Sequence, residues 1–195
     1  MSAPIDKRCQ HAVATDPAAK QPDLIPALKL EERAEQLAFA LAEHHPKLAR
    51  AIPLVCLNTA KLLAVRFNDR RAAIGKLTTA LAKIPSGLEE SDQIRSYLAS
   101  LYFTEGEYMN VIRVLDCLCP ENELRNTIVL NEFQDRLLMA TAQFRLGNIA
   151  ACRAQLTPLH VAAARLGSDG AMSALDVLSK AVRSVDRAHD LEPRR

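Results

Sequence analysis

The chain has 195 residues and a net charge of +2; 49% of it is hydrophobic, but only 4% is aromatic and tryptophan is absent, so one domain with an aliphatic core is expected. Six glycines are too few for the turns of an all-β sandwich, no apolar run approaches the ~18 residues of a membrane span, and Met1-Ser2-Ala3-Pro4-Ile5-Asp6 lacks the apolar stretch of a signal peptide. Charge is segregated, with +5 over residues 61–88, −7 over 89–135 and +4 over 136–195, and an acidic centre of that kind argues against nucleic acid as a partner.

Residues 1–26 hold Pro4, Pro17, Pro22 and Pro26 and few large apolar residues, which predicts a flexible tail. Leu30, Ala34, Leu37 and Leu41 then recur at helical steps until His44-His45 meets Pro46. Pro53 suits the first turn of a second helix, with Leu54, Leu57, Leu62 and Val65 as its apolar face. Asn68 or Asp69 caps a helix from Arg70 to Ile84, stopped by Pro85. Ser86-Gly87-Leu88-Glu89 has capping-box spacing before a helix running to Glu105-Gly106. Further helices are predicted over Tyr108–Leu118 and over Leu124–Leu146, the second broken at Gly147-Asn148. Ile149–Leu156 follows, and Thr157-Pro158 reads as an N-cap and first residue that start a new segment. Gly167 ends that segment, Ser168 caps, and Ala171 to about His189 is the last helix. The expected fold is all-α, eight or nine helices over residues 27–190, with 191–195 as a C-terminal tail.

Self-comparison adds a repeat. Aligning the inter-helix turns at Asn68, Gly106 and Gly147 superposes Lys61, Ala99 and Ala140 seven residues upstream, with Ala60, Leu98 and Met139 at eight. Downstream it superposes Ala73, Val111 and Cys152, then Leu77, Leu115 and Leu156, then Ala80, Leu118 and Leu159. Small residues where helices cross, with large aliphatics between them, are what stacked antiparallel helical hairpins need.

With its Leu-Ala pair, the Tyr before the turn and the Gly-x-Tyr of the turn, Leu98-Ala99-Ser100-Leu101-Tyr102-Phe103-Thr104-Glu105-Gly106-Glu107-Tyr108 resembles the tetratricopeptide repeat. Met139-Ala140 through Phe144-Arg145-Leu146-Gly147 is a second match. The resemblance covers roughly residues 54–160. It departs from the family in its 38- and 41-residue spacings, against ~34, in the early Pro120 and in the Thr157-Pro158 interruption.

The resemblance implies a solenoid with extra terminal helices, and a concave face lined by the first helix of each pair. By the turn alignment that face carries Asn58 and Leu62, with Val55 and Val65, from the first repeat. Gln93, Ser96, Ser100 and Phe103 come from the second, and Gln134, Leu137, Thr141 and Phe144 from the third. Family members that grip a chaperone's C-terminal carboxylate use Lys, Arg and Asn there, and only Asn58 matches. Leu62, Phe103, Leu137 and Phe144 together would make an apolar groove for an amphipathic helix or extended apolar segment.

No residue set points to catalysis or to a cofactor. Cys117-Leu118-Cys119 lacks a second ligand pair for zinc, adjacent His44 and His45 face different sides of a helix, and Cys9-Gln10-His11 falls in the expected tail. G-x-G-x-x-G, P-loop and G-x-S-x-G motifs are absent. Five cysteines without a regular framework suit free thiols in a reducing cytoplasm. The expectation is a non-enzymatic, cytoplasmic protein-binding module: an adaptor, a scaffold subunit in a hetero-oligomer, or a chaperone. It takes another protein's segment rather than nucleic acid or membrane. Two narrower forms are an export chaperone of the type III secretion kind, which residues 140–156 resemble, and a regulator that sequesters a transcription factor.

Overall fold

A computed structural model gives the structure over residues 24–84, 89–118 and 130–190. These residues form eight α-helices: α1 (Leu24–His44), α2 (Ala51–Lys61), α3 (Arg70–Lys83), α4 (Glu89–Thr104), α5 (Tyr108–Leu115), α6 (Leu130–Arg145), α7 (Ile149–Leu166) and α8 (Asp169–Asp190). A 3-10 turn, Pro46–Arg50, leads into α2, and a π-turn, Leu62–Arg66, ends it. The described residues contain no strand, as the composition predicts. Helix α1 starts at Leu24, so Leu24, Ile25 and Pro26 belong to it rather than to a tail, with Pro26 in its first turn. The remainder of that expected tail, the capping-box residues Ser86-Gly87-Leu88, the stop prolines Pro85 and Pro120, and the stretches 119–129 and 191–195 lie outside the described residues.

Side-chain caps start two of the helices. Asp69 Oδ1 accepts the Ala72 N–H at 2.9 Å and starts α3, and Ser168 Oγ accepts from Ala171 N at 3.3 Å and starts α8. Helix α5 ends at Leu115, with Asp116 as its C-cap, rather than running on to Leu118. Pro158 lies inside α7 and does not open a new segment. Interior proline costs a helix ~3 kcal/mol. Cys152, Leu156, Leu159, Ala162 and Ala163, buried on both sides of it, hold α7 together through packing.

Each helix packs on the next, and α2, α4, α6 and α8 also touch in succession. Three hairpins, α2–α3, α4–α5 and α6–α7, therefore stand side by side, flanked by α1 and α8. Their interfaces hold three adjoining apolar clusters, centred on Leu77, Ile94 and Leu98, on Val111, Leu115 and Met139, and on Phe133, Leu159 and Leu175.

The three turns share a left-handed residue. Asn68, Gly106 and Gly147 have φ of 54°, 78° and 78°, the left-handed helix stop that glycine adopts without strain. Glu107 N donates to Tyr102 O at 2.8 Å and Asn148 N to Gln143 O at 2.9 Å. In the first turn, Asp69 N reaches one residue further back, to Leu63 O at 3.0 Å. The π-turn accounts for the difference, because it places one more residue in the last turn of α2. The first repeat is therefore displaced by one upstream of its turn. Ala60, not Lys61, is the counterpart of Ala99 and Ala140, and these three alanines are fully buried. Downstream no shift is needed: Ala73, Val111 and Cys152 are all fully buried, as are Leu77 and Leu115.

Candidate groove across the inner helices

Helices α2, α4 and α6 enclose a hollow of about 920 Å³. Leu57 and Lys61 line it from α2 and Leu138 from α6, while Asp92, Gln93, Ser96, Tyr97 and Ser100 come from α4, and Glu132, Gln134 and Asp135 complete the α6 wall. A second hollow of about 510 Å³ adjoins it, sharing Lys61 and Tyr97 and lined further by Ala27, Glu31, Asn58, Leu62, Val65 and Arg66. Lys61 Nζ lies 5.8 Å from the centre of the Tyr97 ring, within cation–π range, at the junction of the two.

Asp135 is the most unusual group in the groove, with only 9% of its surface exposed. Ser96 Oγ lies 2.6 Å from its Oδ2 and 3.1 Å from the Asp92 carbonyl, and the one hydroxyl proton serves either acceptor. Burial lifts the Asp135 carboxyl above the usual carboxylate range, with Asp92 and Glu132 adding to the rise and the Ser96 hydrogen bond opposing it. Its neighbours are tied down along their own helices: Arg136 reaches Glu132 at 3.2 Å, and Arg95 reaches Asp92 at 3.8 Å.

Of the residues assigned to the concave face from the sequence, Gln93, Ser96, Ser100 and Gln134 line the main groove. Asn58 and Leu62 line the neighbouring hollow instead, and the residues one position earlier, Leu57 and Lys61, take their place. That is the same one-residue displacement the π-turn imposes on the repeat. It also puts a cation, Lys61, where the uncorrected alignment has none. Phe103 packs edge-on to Tyr108, ring centres 5.4 Å apart, at the α4–α5 turn. Leu137 and Phe144 pack against the cluster that α6 shares with α7 and α8. Thr141 Oγ1 donates to the Leu137 carbonyl at 2.7 Å. Leu62, Phe103 and the Leu137–Phe144 pair thus lie in three separate places and do not line one groove together; the groove mixes apolar surface from Leu57, Tyr97 and Leu138 with the carboxylates of Asp92, Glu132 and Asp135.

Two cysteines, Cys56 and Cys152, read as packing groups. Burial pushes the Cys56 thiol up to about 12, and Cys152, fully enclosed, is raised for the same reason. Cys117 is exposed and Cys119 lies outside the described residues. His44 and His45 are both exposed at the end of α1. Among the described residues no group of three or more His, Cys, Asp or Glu side chains converges as a metal ion requires.

The segment Lys47–Arg66 does meet the length and hydropathy of a membrane span, contrary to the expectation that no run comes near it. In this fold it is the inner helix of the first hairpin, with Ile52, Cys56, Leu57 and Ala60 in the core.

The chain matches no protein-family model, no curated protein and no solved structure. The likeness among the three hairpins rests on their own turns and buried positions alone.

Proposed function

We propose that this protein is a non-enzymatic protein-binding module of the tetratricopeptide-like kind, acting as an adaptor, scaffold subunit or chaperone. A partner's segment lies across α2, α4 and α6. The observation that carries the reading is the groove itself, where three successive inner helices present exposed hydrogen-bonding side chains, Gln93 and Gln134 among them, beside the buried acid Asp135. Tyr97, Leu57 and Leu138 add apolar surface, so an amphipathic segment with basic residues on one side suits it better than a wholly apolar one.

Co-purification from the native host tests this. Gln93→Arg with Gln134→Arg changes only exposed groove positions and should leave the thermal midpoint in place while the bound protein is lost. A partner retained at wild-type yield by the folded double variant means that the groove is not the binding site.

A further inference from the structure

Among the described residues, seven of the ten large apolar side chains that stand out in solvent fall between residues 25 and 65. On α1 they are ordered: Leu30 is 75% exposed, Leu37 52% and Leu41 47%. The opposite side of α1 places Ala38, Phe39 and Ala42 against the first apolar cluster, and Glu35 pairs with Lys76 at 2.9 Å. These contacts fix the rotation of the helix and leave the leucine stripe outside. Contiguous apolar exposure of this sort marks an interaction surface.

The stripe is self-complementary. Positions 30, 34, 37 and 41 follow the 4-3-4 spacing of a paired-helix seam, and α1 runs for 21 residues, three heptads. In an antiparallel pair of α1 helices centred between Glu35 and Gln36, Leu30 of one copy meets Leu41 of the other, and Leu37 meets the small Ala34. At the levels of Lys29, Glu31 and Arg33 along the axis the other copy carries Ala42, Ala40 and Ala38, so no like charge stands level with another there. Such reciprocity is what an isologous two-fold contact demands. The chain's own N-terminal 23 residues offer only Met1, Ile5 and Val13 as large apolar groups, a poor match for three leucines at helical spacing.

We propose that Leu30, Leu37 and Leu41 form an interface through which two copies of this chain pair by antiparallel contact of α1. Sedimentation of the full chain tests it. At up to about 100 µM, ample for an interface of modest size, the wild type should sediment at twice its 21.4 kDa. Leu37→Glu alters a half-exposed side chain, so the variant should keep its helical circular dichroism. It should raise the dissociation constant roughly 100-fold, since each dimer loses the contact twice. Leu30→Lys and Leu41→Glu should each give monomers alone. Combined in one chain they should restore the dimer, because the antiparallel register faces Lys with Glu at both ends. A monomeric wild type, a Leu37→Glu variant that still dimerises, or a combined variant that stays monomeric would each overturn the proposal.

Discussion

Gly106 and Gly147 end α4 and α6 with φ of 78°, and a Cβ built on either glycine meets nothing within 4 Å. Replacing either by alanine therefore adds no steric contact. Its cost is the left-handed backbone alone, about 1–2 kcal/mol. If the two turns are equivalent parts of one repeat, as their matching hydrogen bonds from Glu107 and Asn148 indicate, the two substitutions should cost the same to within ~0.5 kcal/mol. Urea unfolding reads this directly, and the melting midpoint should fall by roughly 3–6 °C in each case. At the first turn Asn68 already holds the left-handed conformation. Asn68→Gly should therefore change stability by less than ~0.5 kcal/mol, the relief of strain being offset by glycine's greater freedom in the unfolded chain. A neutral Gly106→Ala, or a loss above ~3 kcal/mol at one glycine and not the other, would refute the equivalence.

Three further outcomes follow from individual side chains. Because the folded-state pKa of Asp135 is raised, its carboxyl favours the fold while protonated in acid and loses that contribution as pH climbs through the folded value. Asp135→Asn should thus match the wild type in acid and exceed it at neutral pH by on the order of 1 kcal/mol, measured by urea unfolding at several pH values; a less stable variant at neutral pH contradicts this. Pro158→Ala restores an amide donor inside α7 and should raise stability by about 1–3 kcal/mol in a thermal melt; a fall in stability contradicts this. Tyr102 packs on two apolar clusters, and its hydroxyl is a long 3.4 Å from Thr78 Oγ1. Tyr102→Ala should therefore cost about 2–3 kcal/mol and Tyr102→Phe less than ~0.5 kcal/mol in the same assay.

The hairpins were legible because their signals are local. Gly106 and Gly147 can only be read as left-handed stops, and the alanine and aliphatic positions around them repeat in register. The π-turn at Leu62–Arg66 leaves no such mark. No residue type specifies one extra residue in a helical turn, so the first repeat aligned one position out and Asn58 and Leu62 took the place that belongs to Leu57 and Lys61. Phe103 and Phe144 misled for a different reason. Position on the first helix of a pair says which helix faces the groove, but not which side chains its neighbours cover. In the structure Tyr108 and the α8 cluster take those rings. The seam at Leu30, Leu37 and Leu41 was visible as a period, yet a period alone cannot say whether the stripe turns inward, and here Phe39 and Ala42 occupy that side. Pro158 read as a start signal, but packing around Leu156 and Leu159 outweighs the missing hydrogen bond.

The groove is tested most directly by photo-crosslinking in the native host, with a photoreactive amino acid placed singly at Gln93, at Gln134, and at the exposed outer-helix positions Thr79 and Arg113. A partner segment lying across α4 and α6 predicts that Gln93 and Gln134 capture the same protein while Thr79 and Arg113 do not. Capture from Thr79 or Arg113 with none from the two glutamine positions would contradict it.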